Sequence, residues 1–129
     1  MYSHAEGYTS WAGGDASHAE GCSSTQGDYS HSEGYGTMTQ LEATAAHAEG
    51  GYFNSSGKAL KAKSIDYTGS TITGTTAAGI QSHAEGTQTY AYGYSSHSEG
   101  YQTEALGGYS HAEGYITKAF GPSSHTEGY

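Results

Sequence analysis

Small and bulky side chains alternate along most of this chain, in runs of five that end on glycine. Ser-His-Ala-Glu-Gly stands at Ser3–Gly7, Ser17–Gly21, Ser82–Gly86 and Ser110–Gly114, with near copies at Ser30–Gly34, Ala46–Gly50, Ser96–Gly100 and Ser124–Gly128. A second pentad, Thr-x-Ala-x-Gly, follows at Thr89–Gly93, Thr103–Gly107 and Thr117–Gly121. Alternation with a period of two is the pattern of a β-strand whose faces differ. In both pentads Ser or Thr, Ala and Gly share one face. The pattern therefore predicts two short strands and two tight turns per repeat, around an interior with room only for small residues. The glycine ending each pentad is expected at a turn position with positive φ.

All eight histidines lie in the first pentads and follow one another at 14, 13, 16, 36, 14, 14 and 14 residues. A period held this closely marks a solenoid. Stacked 14-residue coils give two parallel sheets back to back, with neighbouring strands about 4.8 Å apart. The second coil, Ser17–Tyr29, is one residue short and the third, Ser30–Ala45, is two long. Both deviations fall around the second strand, as altered turns would. The chain reads as one all-β domain, with repeats over 1–50, an insertion over 51–81 and repeats over 82–129. Within the insertion, Lys61–Tyr67 and Ser70–Thr76 suit a hairpin around Thr68-Gly69. Insertions in solenoids emerge on one side and often carry binding. Lys58, Lys61 and Lys63, with Tyr67, are the candidate receptor contacts on an otherwise acidic chain. A chain that opens and closes inside a repeat is expected to be a piece of a longer fibre.

Composition alone points elsewhere. Leu, Ile, Val and Phe number nine among 129 residues, and the formal net charge is −9, a profile typical of disorder. The strictness of the repeat overrides it, because the apolar content is carried by Ala, Gly and Tyr. Such a core buries little area at roughly 25 cal/mol per Å², so partner chains are expected to share the burial. Protonating the histidines would cancel eight of the nine negative charges, which makes imidazole ionisation the main electrostatic lever. A single cysteine, Cys22, excludes an intrachain disulfide, and no zinc-type Cys/His spacing occurs. The absence of a basic patch argues against nucleic acid, and the absence of an apolar run of about 18 residues against a membrane span.

His and Glu two apart on a strand point the same way. Stacking then makes one column of His4, His18, His31, His47, His83, His97, His111 and His125. A second column holds Glu6, Glu20, Glu33, Glu49, Glu85, Glu99, Glu113 and Glu127. A glutamate column repels itself unless cations interleave. The face reads first as a structural polar interface of charge-assisted hydrogen bonds between chains. The alternatives are an exposed face, or a metal or anion on an axis where three imidazoles converge, within about 2.1 Å for a metal. No cofactor is otherwise expected. An ionic layer would raise the histidine pKa, depress that of glutamate and stabilise most between roughly pH 4.5 and 6.5. The motif serine points away from its histidine, so one pentad cannot form a triad and no enzyme is expected.

Tyrosines cluster at the corners. Tyr8, Tyr35, Tyr101, Tyr115 and Tyr129 follow a motif glycine, and Tyr2, Tyr29 and Tyr109 precede a motif serine. They are expected to pack on one another, with saccharide stacking as a further use. Trp11, Tyr90, Tyr92 and Phe120 on the outer face of the second strand are alternative platforms, and Cys22 reads as a small filler in place of a corner tyrosine.

The paired pentads at a 14-residue period resemble the head repeats of trimeric autotransporter adhesins, the YadA-like left-handed parallel β-roll. The resemblance covers about 100 of the 129 residues, all but the insertion. It implies a left-handed roll, a homotrimer about a threefold axis, and an extracellular place on a virion or cell surface. The family's inner strand reads S-V-A-I-G, with its two apolar positions facing the trimer interface. Here those positions hold His and Glu, so the resemblance places both columns in polar layers on the axis. The SHAEG wording is similar to repeats of phage-tail-associated and Gram-positive surface proteins. The function implied is a structural segment of a phage tail fibre or surface adhesin that contacts a host receptor or glycan. A metal-binding or purely structural spacer is the alternative.

Overall fold

The computed structural model describes residues 2–51 and 74–129. All regular structure among them is β-strand, arranged as two parallel ladders. The first runs through His4–Gly7, His18–Thr25, His31–Thr39, His47–Gly51, His83–Thr87, His97–Tyr101, His111–Tyr115 and His125–Thr126. At each full step His lies over His, Ala over Ala or Ser, Glu over Glu and Gly over Gly. The second ladder joins Trp11–Ala12, the far ends of His18–Thr25 and His31–Thr39, and then Thr76–Ala77, Tyr90–Ala91, Glu104–Ala105 and Lys118–Ala119. The result is a β-solenoid of about seven turns. One bond recurs at every step. The histidine N–H donates to the carbonyl opening the next coil's motif, at 2.9 Å from His4 to Ser17, His31 to Ala46, His83 to Ser96 and His111 to Ser124.

The interior is as thin as the alternation requires. Ala19, Ala48, Ala84 and Ala112 of the first ladder and Ala77, Ala91, Ala105 and Ala119 of the second are buried, among Thr25, Thr39, Thr89 and Thr103. Hydroxyls tie the two strands of a coil together. Ser98 and Thr103 share a 2.7 Å bond, and Thr103 and Thr117 donate to the carbonyls of Glu99 and Glu113 at 3.1 and 2.9 Å. The motif serine closes the second corner. Ser17, Ser82, Ser96, Ser110 and Ser124 each donate to the glycine carbonyl three residues earlier, at 2.6–2.7 Å. A hydroxyl buried without such a partner would cost about 1–3 kcal/mol.

Both glycines of a coil sit where coils touch, and the first also serves a positive φ. The first-pentad glycines have φ between 86° and 110°, as expected. The second-pentad glycines do not take positive φ, contrary to the sequence expectation. They are small because coils touch there: a methyl on Gly93 would overlap the carbonyl oxygen of Gly107, and one on Gly107 that of Gly121. Left-handed backbone falls instead on residues with side chains. At the second corner these are Ala16, Tyr29, Ala45, Gln81, Ser95, Tyr109 and Ser123, and at the first Thr9, Gln88, Gln102 and Ile116. Each costs on the order of 1 kcal/mol. Bonds between coils offset the cost, as in Tyr109 N–H to Tyr94 O at 2.7 Å and Ile116 N–H to Tyr101 O at 2.8 Å.

The irregular coils keep both strands and alter their corners. In the second coil the register passes from Cys22 opposite Tyr35 to Ser24 opposite Met38, so the missing residue lies at the first corner. In the third, the two extra residues lie between Thr39 and Ala46, where Ala43 N–H donates to Gln40 O at 3.0 Å. The fourth coil corrects the insertion boundary. Thr76–Ala77 pairs with Met38–Thr39 and Tyr90–Ala91, so the chain from Gly74 to Gln81 belongs to the solenoid. Thr76 is thus a rung of the second ladder and not the end of a hairpin. Gly51 and Gly74 fall at the register positions of Tyr35 and Gly36, which are consecutive residues. The remainder of the expected hairpin, with Lys58, Lys61, Lys63 and Tyr67, lies outside the described residues.

Close approach at the second-pentad glycine gives a paired test. Gly107→Ala should destabilise the fold by about 1–3 kcal/mol through overpacking against the Gly121 carbonyl. Gly108→Ala should change stability by less than about 0.5 kcal/mol, since its Cβ would meet nothing nearer than Tyr94 O at 3.9 Å. Urea melts of the two variants check the difference.

Candidate functional site

The outward side chains of the first ladder make one continuous face. From His18 to His125 the imidazoles stack with centroids 4.7–4.9 Å apart and planes within 3–5°. His4, at the end, tilts to 69°. Inside the stack each His and Glu side chain is roughly a third exposed. The Nε2 atoms of His18, His31, His47, His83, His97 and His111 are nevertheless buried and accept or donate no hydrogen bond. The motif serines point the other way, into the corner bonds already described.

Register puts carboxylate over carboxylate, and the column does not ionise evenly. The carboxyl of Glu33 shares a hydrogen bond with Glu49 and is partly desolvated, which raises its pKa to about 7. Glu85, bonded to Glu99 and Glu49, is likewise pushed up to about 7. Glu49 and Glu99, which accept those bonds, are lowered. From Glu33 to Glu99, raised and lowered carboxyls therefore alternate, the response of like charges that cannot separate. Burial, followed by the imidazoles above and below for His31 and His83 and by His111 alone for His97, lowers the pKa of these three histidines. The ionic layer, with raised His and depressed Glu, is thus not what a single chain makes for these histidines or for Glu33 and Glu85. Beside the column, Glu20, Glu33, Glu49, Glu85, Glu99 and Glu113 line an open groove of about 1030 Å³ floored by the motif glycines.

The sixteen residues singled out in the sequence share this face, with His4, Glu6, His125 and Glu127 at its more exposed ends. The corner tyrosines divide. Tyr101, Tyr115 and Tyr129 stack at 5.1 and 5.2 Å, and Tyr94 meets Tyr109 edge-on at 5.4 Å. Trp11, Tyr92 and Phe120 are exposed, but Tyr90 is 2 % exposed and is no platform. Burial pushes its phenol up to about 12. Cys22 takes its place in the corner column, 2.9 Å from the Thr9 hydroxyl. Sequence reasoning missed two rungs: the ion pair of Lys118 with Glu104 at 2.8 Å, and the amide bond from Gln102 to Gln88 at 2.9 Å. Both pairs are 14 residues apart, so the period that located the histidines also locates them. Comparison of the chain with protein-family models, curated proteins and solved structures finds no match.

The glutamate column sets a pH dependence with a definite sign. Glu33 and Glu85 hold protons in the fold up to about pH 7, whereas unfolded glutamate releases them near 4.3. The stabilisation this gives is present at acid pH and is lost as pH rises from about 4.3 through 7. His31, His83 and His97 act oppositely: their neutral folded forms cost stability as pH falls below about 6.5. The double variant Glu33→Gln, Glu85→Gln isolates the first effect, because Gln mimics the protonated acid. It should melt several degrees above the parent at pH 8 and level with it at pH 4, as thermal melts at the two pH values will show.

Proposed function

We propose that this chain is a rigid segment of a homotrimeric extracellular fibre, belonging to a phage tail fibre or a bacterial surface adhesin, that holds a host-contacting element in place. The observation that carries the reading is the registered His–Glu face, whose buried Nε2 atoms are left without hydrogen bonds by one chain. A threefold rotation about an axis parallel to the columns sets one chain's histidines against the next chain's glutamates, so the face is complementary to itself. An interior of Ala, Ser and Thr limits what one copy buries, which favours shared burial. The in-register stacking of the first ladder supports a mechanical role, since every described step sets His over His and Glu or Ala over its counterpart. The resemblance of the pentads to adhesin head repeats supports the setting.

Attachment is assigned to the stretch between Gly51 and Gly74, which carries Lys58, Lys61, Lys63 and Tyr67. Gly51 and Gly74 occupy register positions that are adjacent elsewhere, so joining them restores a 14-residue coil. Deleting residues 52–73 should leave the melting temperature and β-sheet circular dichroism near the parent's and abolish binding to glycan arrays and host cells. Undiminished binding would refute that assignment, and a parent array blank at high concentration would favour a spacer. Light scattering should give a trimer at micromolar concentration, dissociated by His97→Glu with His111→Glu, which sets carboxylates against carboxylates. A folded monomeric parent would refute the trimer.

A further inference from the structure

Four steps of the ladder bring one imidazole nitrogen between carboxylates of two consecutive coils. His18 Nε2 lies 3.9 Å from Glu6 Oε1 and 3.8 Å from Glu20 Oε2. His47 Nε2 lies 3.9 Å from Glu33 Oε1 and 3.7 Å from Glu49 Oε2. His97 Nε2 is 3.5 Å from Glu85 Oε1 and 4.0 Å from Glu99 Oε2, and His111 Nε2 is 3.6 Å from Glu99 Oε1 and 4.0 Å from Glu113 Oε2. These separations are too long for good hydrogen bonds, and all four nitrogens are buried and unpartnered. They come close to another length. Donors bound at about 2.0–2.1 Å around a tetrahedral cation stand about 3.4 Å from one another. In the two steps from Glu85 to Glu113, the three donor atoms all lie within 4.8 Å of one another. Small side-chain rotations close the remaining gap.

We propose that the ladder is a row of sites for Zn²⁺ or a similar transition-metal dication, each built by one chain from a histidine Nε2 and one oxygen of each of two glutamates in consecutive coils. One imidazole with two carboxylates suits zinc and its neighbours and leaves a position for water. The site differs from a metal on a threefold axis, because every protein ligand comes from one chain, and the ion competes with a neighbouring chain for the same Nε2 atoms. A cation there also meets the need the register creates, by placing positive charge between stacked carboxylates. Glu99 turns Oε2 to His97 and Oε1 to His111. One carboxylate can bridge two dications through its two oxygens, as in two-metal sites, so these two steps can fill together. The chain then takes about four ions, at His18, His47, His97 and His111.

Calorimetric titration of the untagged, EDTA-stripped chain with ZnCl₂ tests this, with MgCl₂ as the oxygen-preferring control. About four Zn²⁺ per chain should bind, with a rise in melting temperature, and Mg²⁺ should bind far more weakly. His18→Gln and His47→Gln should each lose one ion. His97→Gln should likewise lose one, and His97→Gln with His111→Gln should lose two. Should a variant not fold, ¹⁵N NMR of the parent decides: Zn²⁺ should shift Nε2 of these imidazoles and leave Nδ1 little changed. Less than one ion per chain, one ion shared among three chains, or a dominant shift at Nδ1 would overturn the proposal.

Discussion

The structure depends on one bond repeated at a fixed step: the backbone hydrogen bond from each coil to the next, parallel and in register. It fixes the coil spacing near 4.8 Å and sets every residue over its counterpart one repeat away. Each position must therefore tolerate a copy of itself. Alanine and glycine do so without cost. Tyr101, Tyr115 and Tyr129 do so by stacking their rings. Glutamine does so because one amide both donates and accepts, as Gln102 and Gln88 show. Where Lys118 lies over Glu104, a change of residue turns repulsion into an ion pair. Glutamate over glutamate has no solution within its own chemistry except to share a proton.

The same constraint explains how so little apolar surface holds a fold. The coil is too flat for Leu or Ile, so its interior relies on short-range hydroxyl bonds and on close backbone contact. Ser110 and Ser124 tie corners, Thr103 and Thr117 tie strands, and Gly93 and Gly107 let coils touch. Left-handed residues such as Ile116 and Tyr109 are tolerated because their N–H groups reach the preceding coil. Cooperativity then resides between coils more than within them, as in other one-dimensional arrays.

Much of this was legible in the sequence. Period-two alternation defined the strands, the 14-residue spacing defined the ladders, and together they put sixteen His and Glu residues on one face. What escaped has physical reasons. Glycine serves a positive φ and a close approach at Gly100 but a close approach alone at Gly107, and one letter does not distinguish the two. Spacing between histidines assigns a disturbance to a coil but not to a corner. The fourth coil's second strand was nevertheless readable, since Thr75-Thr76-Ala77-Ala78-Gly79 is itself a Thr-x-Ala-x-Gly pentad. Burial of Tyr90 and the alternate protonation of the glutamates were not readable. Each depends on what surrounds a group in three dimensions, while the repeat gives equivalent residues the same letter.

An apolar face could have been built on the same frame, with the residues that would carry it replaced by His and Glu at every turn. The substitution exchanges a face that association satisfies in one way for one that can be satisfied in several. Alone, the middle of the column eases its repulsion by raising the pKa of Glu33 and Glu85 to about 7 and lowering that of Glu49 and Glu99. A cation between coils would remove the need for those protons, and so would the imidazoles of a neighbouring chain. These solutions compete, because each histidine has a single Nε2 and that atom can turn to an ion or to another chain's carboxylate. The backbone is indifferent to the choice: its bonds run along the stack and involve no side chain of this face. A rigid scaffold can therefore carry a surface whose charge is set by pH.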